Sequence, residues 1–117
     1  MKEINYQDFN ENIFKMIGED WLLVTAEKDG KVNTMTASWG GTGILWNKRV
    51  AYIFIRPQRY TKEFIDSNDK LSFICKKLYA QDMKEECFIE KDLIDKCYKD
   101  GDYHTMYVVE IENMLEK

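Results

Sequence analysis

Apolar positions along the chain change their spacing several times, and each change marks an element. Phe9, Ile13, Met16 and Ile17 recur on one helical face between a capping Asp8 and Gly18, which predicts a first helix. Residues 21–26 (Trp-Leu-Leu-Val-Thr-Ala) form a short apolar run that reads as a buried strand. Lys28-Asp29-Gly30-Lys31 carries the Asp-Gly signal of a tight hairpin. The returning strand, 32–39, sets Val32, Thr34, Thr36 and Ser38 on one side and Asn33, Met35, Ala37 and Trp39 on the other. Gly40-Gly41-Thr42-Gly43 then reads as a loop.

The strongest strand is 50–55, Val-Ala-Tyr-Ile-Phe-Ile, with Asn47-Lys48 as the turn before it and Pro57 ending it. Thr61 is a good cap for a short helix over 62–67, with Phe64 and Ile65 facing inward. A further strand lies within 70–79 and includes at least 71–75. Residues 83–88 and 93–98 suit short helical turns, Asp100-Gly101-Asp102 a turn, and 105–111 a last strand. Strands outweigh helices and no βαβ alternation appears. The expected fold class is therefore mainly β with short helices: a small antiparallel barrel or curled sheet in one domain, 1–117.

Composition narrows the function classes. Net charge is −4, so the chain lacks the basic footprint that nucleic-acid binding needs. No apolar run reaches the ~20 residues of a membrane span, and Met1-Lys2-Glu3-Ile4 is unlike the start of a signal peptide. The expectation is a soluble, cytoplasmic protein without nucleic-acid or membrane partners. Cys75, Cys87 and Cys97 match no zinc spacing and are expected to be reduced and unpaired. The single histidine, His104, offers no metal site by itself, so no metal is expected. No convincing catalytic acid or base stands out: Asp29, Glu63 and Asp69 read as turn or surface carboxylates.

Two segments look unlike plain core. In Asn33-Thr34-Met35-Thr36-Ala37-Ser38-Trp39, small hydroxylated residues bury little area but can offer hydroxyl and backbone groups to a flat polar ligand, with Met35 and Trp39 as apolar walls. An ordinary Thr-rich strand is the plainer alternative. In Arg56-Pro57-Gln58-Arg59-Tyr60-Thr61, two arginines precede a Thr-capped helix start, a combination suited to a phosphate. Solvated arginines beside a simple cap are the alternative.

These segments, with Leu45-Trp46-Asn47-Lys48, the stretch from Cys75 to Asp82 and the stretch from Lys96 to His104, resemble the flavin reductase-like proteins related to flavoredoxin. The resemblance covers nearly the whole chain. It implies an FMN-binding split β-barrel, here shortened, and a homodimer with FMN near the subunit interface. It also implies electron transfer from a reduced nicotinamide, NAD(P)H, through FMN to an unknown acceptor. Met35, Thr36, Ala37, Ser38 and Trp39 would line the flavin ring and ribityl chain; Arg56, Arg59, Tyr60 and Thr61 would hold the phosphate. In the family a long stretch separates the strand like 70–73 from the segment like 75–79; here only Ile74 lies between them. That internal deletion supports the alternative of a non-catalytic split-barrel module with weak or no flavin binding. A pyridoxamine-phosphate oxidase-like reading shares the fold but has no substrate-specific residue behind it. Trp39, Trp46 and Tyr52 are the expected interface residues of the dimer.

Overall fold

A computed structural model describes residues 2–59, 70–71 and 75–116. The elements are β1 (Lys2–Ile4), a 3-10 turn (Tyr6–Asp8), α1 (Ile13–Gly18), β2 (Leu22–Lys28), β3 (Lys31–Ala37), β4 (Gly40–Leu45) and β5 (Lys48–Ile55). They continue with β6 (Lys70–Leu71), β7 (Cys75–Asp82), a second 3-10 turn (Glu85–Cys87), α2 (Asp92–Cys97), β8 (Thr105–Ile111) and β9 (Met114–Glu116). The fold is mainly β, as the periodicity predicts.

Seven strands form one antiparallel sheet in the order β3-β2-β6-β7-β8-β5-β4, and β1 pairs with β9 separately. The two outermost strands of the large sheet, β3 and β4, are consecutive in the chain. Only Ser38 and Trp39 join them. So short a link forces the sheet to curl until its edges approach at that end.

Two hairpins build this shape. At the first, Lys28 pairs with Lys31 around Asp29 (φ 51°) and Gly30 (φ 77°), a primed turn whose twist matches the strands. The second closes Leu45 on Lys48 around Trp46 (φ 53°) and Asn47 (φ 58°), one residue earlier than the expected Asn47-Lys48 turn. Asn tolerates the left-handed region, but Trp rarely adopts it.

Alternate positions of the strands meet inside. Val24, Ile53, Ile55, Cys75, Tyr107 and Val109 form the buried core, with Met35, Ala37, Ala51 and Ile111 against it. Of the helix α1, Ile17 is buried. Leu78 interrupts the pairing of β7 with β8 as a bulge, between Lys77 opposite Val109 and Tyr79 opposite Val108.

Three expectations change. The glycine run 40–43 is not a loop but the start of β4, where Gly41 lies opposite Tyr52. A methyl group on Gly40 would meet the Tyr52 carbonyl oxygen at 2.6 Å, whereas one on Gly43 would only touch the Tyr52 ring at 3.6 Å, so it is at Gly40 that close approach requires glycine. Asp8 does not cap the helix; it ends the 3-10 turn, and Asn12 caps α1 by accepting from the Lys15 N–H at 3.2 Å. The strand expected within 70–79 is two antiparallel strands, with Leu71 opposite Cys75. The pairing of β1 with β9 had no signal in the periodicity. The expected helix over 62–67, with its Thr61 cap, lies outside the described residues.

Candidate functional site

Where the β3–β4 link passes the end of β5, the chain leaves a cavity of about 190 Å³. Its walls are Met35, Thr36, Ala37, Ser38 and Trp39 from β3 and the link, Phe54, Arg56 and Arg59 from the end of β5 and beyond, and His104. Register brings them together: Gly40 lies opposite Ile53, and Ile55 opposite Thr105, so the link, the end of β5 and the start of β8 share one corner.

Five consecutive residues, 35–39, line this space although alternate strand residues point to opposite faces. The cavity therefore abuts the edge of β3 rather than one of its faces. Among the described residues β3 pairs only with β2, so its outer edge keeps unpaired backbone N–H and C=O groups. An edge of alternating donors and acceptors, with the Thr36 and Ser38 hydroxyls beside it, matches the rim of a planar polar heterocycle.

The turn after β5 places the two arginines. Arg59 N–H donates to the Arg56 carbonyl at 3.1 Å, and Pro57 occupies the position that favours such a turn. The arginines then diverge in role. Arg56 is half-buried: its Nη1 donates to Asp102 Oδ2 at 3.0 Å and its Nη2 to the Cys97 carbonyl at 3.0 Å. Its guanidinium lies 5.1 Å from the Tyr98 ring centre and 6.0 Å from that of Trp39. Gln58 Nε2 donates to the same Asp102 oxygen at 2.8 Å. Gln58 above all, with help from Arg56, holds the Asp102 carboxyl below its ordinary range. Arg59 is exposed and has no ion-pair partner among the described residues. It is the open cation of the cavity wall.

His104 is buried, with Nδ1 at 2.7 Å from the Tyr98 hydroxyl. The Trp39 and Phe54 rings flank it at 5.2 and 6.4 Å. Burial first, and then the Arg56 charge, push its pKa down to about 4. The imidazole is therefore neutral near pH 7.

Family models, curated proteins and solved structures offer no match to this chain.

Of the nine residues singled out from sequence, Met35, Thr36, Ala37, Ser38, Trp39, Arg56 and Arg59 line this one cavity. Tyr60 and Thr61 lie outside the described residues. Phe54 and His104 were missed. Phe54 had a signal, since it shares a strand face with Arg56 two residues on. His104 had none, because only the pairing of β8 with β5 brings it here.

The donor set fits a flavin mononucleotide in kind: a strand edge and hydroxyls for a ring, and Arg59 for an anion. The volume fits only in part, being below the ~300 Å³ at which ligand pockets commonly begin. A whole flavin would need a further wall. Elsewhere a larger, apolar cavity of about 230 Å³ lies between α1 and the sheet, lined by Met16, Ile17, Val24, Ile53 and Val109 among others. Among the described residues no group of three His, Cys, Asp or Glu could hold a metal ion, and no helix is long and apolar enough to cross a membrane. Cys75, Cys87 and Cys97 form no disulfide with one another.

Proposed function

We propose that this chain is an FMN-binding, flavin reductase-like oxidoreductase on a shortened split β-barrel. The observation that carries the reading is the convergence of Met35–Trp39 with Arg56 and Arg59 around one cavity at an open strand edge. The ring would lie along the edge of β3 against Trp39. Arg59 would take the phosphate, with Arg56 beside it held by Asp102. A bound flavin would supply hydride acceptance from a reduced nicotinamide and onward electron delivery. The protein's part is position, electrostatics and access.

The proposed state is a homodimer. Trp39 and Trp46 expose about half their surface, 49% and 54%, and β3 and β4 are open edges among the described residues. A second copy could supply the wall that the cavity lacks. Sedimentation at micromolar concentration should give a species near twice 14.0 kDa; a monomer alone would remove the dimer from the proposal.

A non-catalytic module is the second reading, favoured by the small cavity and by Arg56 being committed to Asp102. Visible absorption of the purified protein, followed by titration with FMN and with riboflavin, separates the two. Flavin bands and tighter binding of FMN support the oxidoreductase. Equal affinity for both ligands refutes the phosphate assignment, and uptake of neither leaves the module.

A further inference from the structure

The Tyr98 hydroxyl lies 2.7 Å from His104 Nδ1 and 3.6 Å from the Met83 sulfur. It has one proton to give. A thioether is a weak acceptor and an imidazole nitrogen a strong one, so the proton points to Nδ1. Burial raises the Tyr98 pKa, which keeps the phenol protonated. A nitrogen that accepts cannot carry its own hydrogen, so the ring hydrogen sits on Nε2. Among the described residues Nε2 has no hydrogen-bond partner, and no buried side-chain polar atom is without one. Nε2 is therefore not sealed, and the open space beside His104 is the cavity.

We infer that Tyr98 is a positioning residue for this cavity, fixing His104 as the Nε2–H tautomer so that it presents one neutral donor to an acceptor atom of the bound ligand. This rests on the oxidoreductase reading only for the identity of that ligand. The surroundings hold the arrangement still. The Tyr98 ring packs on Phe88 and Tyr103 at 5.7 and 5.1 Å, and the Arg56 guanidinium lies over its face. The charged groups near His104 are Arg56, which opposes its protonation, and Asp102, which favours it. Asp102 is already bonded to Arg56 and Gln58, so the donor is set by Tyr98 rather than by the carboxylate.

The consequence is selectivity by atom type. With Arg59 and the His104 Nε2–H both donors, this side of the cavity recognises carbonyl, ring-nitrogen or phosphate acceptors and disfavours a ligand that presents an N–H there.

Tyr98→Phe tests this, because it keeps the ring and its packing and removes only the hydroxyl. Nitrogen-15 spectra of the ligand-free protein at pH 7 should show a bare, hydrogen-bonded Nδ1 and a protonated Nε2 in the wild type. The variant should show both nitrogens moving toward the averaged values of a free imidazole. FMN affinity should fall about fivefold in the variant, the loss of about one neutral hydrogen bond. A wild-type ring protonated at Nδ1, or a nitrogen pattern that Tyr98→Phe leaves unchanged, overturns the inference. If the wild type shows the expected nitrogen pattern but takes up no FMN, the inference stands and the flavin reading fails.

Discussion

Arg56 Nη1 lies 3.0 Å from Asp102 Oδ2 while its Nη2 lies 3.0 Å from the Cys97 carbonyl. One side chain thus ties the end of β5 to the end of α2 and to the turn before β8. The sequence signal was two equivalent arginines flanking a proline. In the folded chain Arg56 braces the structure, while Arg59 is exposed and lines the cavity.

Alanine substitutions should separate these roles. Arg56→Ala removes a charge-assisted bond to the Cys97 carbonyl, worth about 1.5 kcal/mol, together with the pair to Asp102, so the melting temperature should drop by at least about 6 °C. Arg59→Ala should leave the melting temperature within about 1 °C, because Arg59 is exposed and has no ion-pair partner among the described residues. On the proposed function, Arg59→Ala should narrow the gap between FMN and riboflavin affinity more than Arg56→Ala does. Thermal melts and paired flavin titrations check both statements.

Stability should fall on mild acidification. The folded His104 has its pKa pushed down to about 4 from 6.5, so between these values the unfolded chain binds a proton that the folded chain refuses. The stabilisation is full above the unfolded value and is lost as pH drops toward 4. Asp102, held below its ordinary range, adds a loss in the same direction at lower pH. Urea melts from pH 7 to pH 4.5 should show the decline, and His104→Asn should flatten it.

Two glycines of β4 should differ sharply on substitution. Gly40 has φ 153°, and a methyl group there would meet the Tyr52 carbonyl oxygen at 2.6 Å. Gly40→Ala should cost at least ~2 kcal/mol, since backbone must move to admit it. Gly43→Ala meets only the Tyr52 ring, at 3.6 Å, and should change stability by less than ~1 kcal/mol. Chemical denaturation of both variants gives the comparison.

The thiols should react in a fixed order. Cys87 is exposed, Cys97 half-buried and Cys75 buried, with burial pushing the Cys75 pKa up to about 11. An aromatic disulfide reagent at neutral pH should modify Cys87 quickly and Cys75 only after unfolding. All three should react in the denatured protein without prior reduction.

Where one face of a strand is buried, the sequence told the structure well. The alternation through Met35 and Ala37 and the run from Val50 to Ile55 mark strands that the fold contains, because period-two burial leaves a direct trace. The Asp29-Gly30 turn was legible for the same local reason. Gly40-Gly41-Thr42-Gly43 misled because glycine was read as freedom, whereas here the run is strand and Gly40 admits the close approach of the Tyr52 carbonyl. The change of direction between Leu71 and Cys75 was hidden because no Gly, Pro, Asn or Asp stands between them to signal a turn. At the cavity, local residues were readable and remote ones were not. Trp39 and Arg59 lie in unusual stretches of sequence, but the placement of His104 and the commitment of Arg56 to Asp102 depend on which strand β8 pairs with.

Ser38 and Trp39 join the two strands that lie farthest apart in the hydrogen-bonded order of the sheet, and both line the cavity. A ligand seated there would act as a clasp across a seam. It would brace β3 and β4 together although they share no ladder. Amide exchange should then slow at both margins of the sheet at once, so that a small molecule touching two residues would stiffen strands at opposite ends of the pairing order.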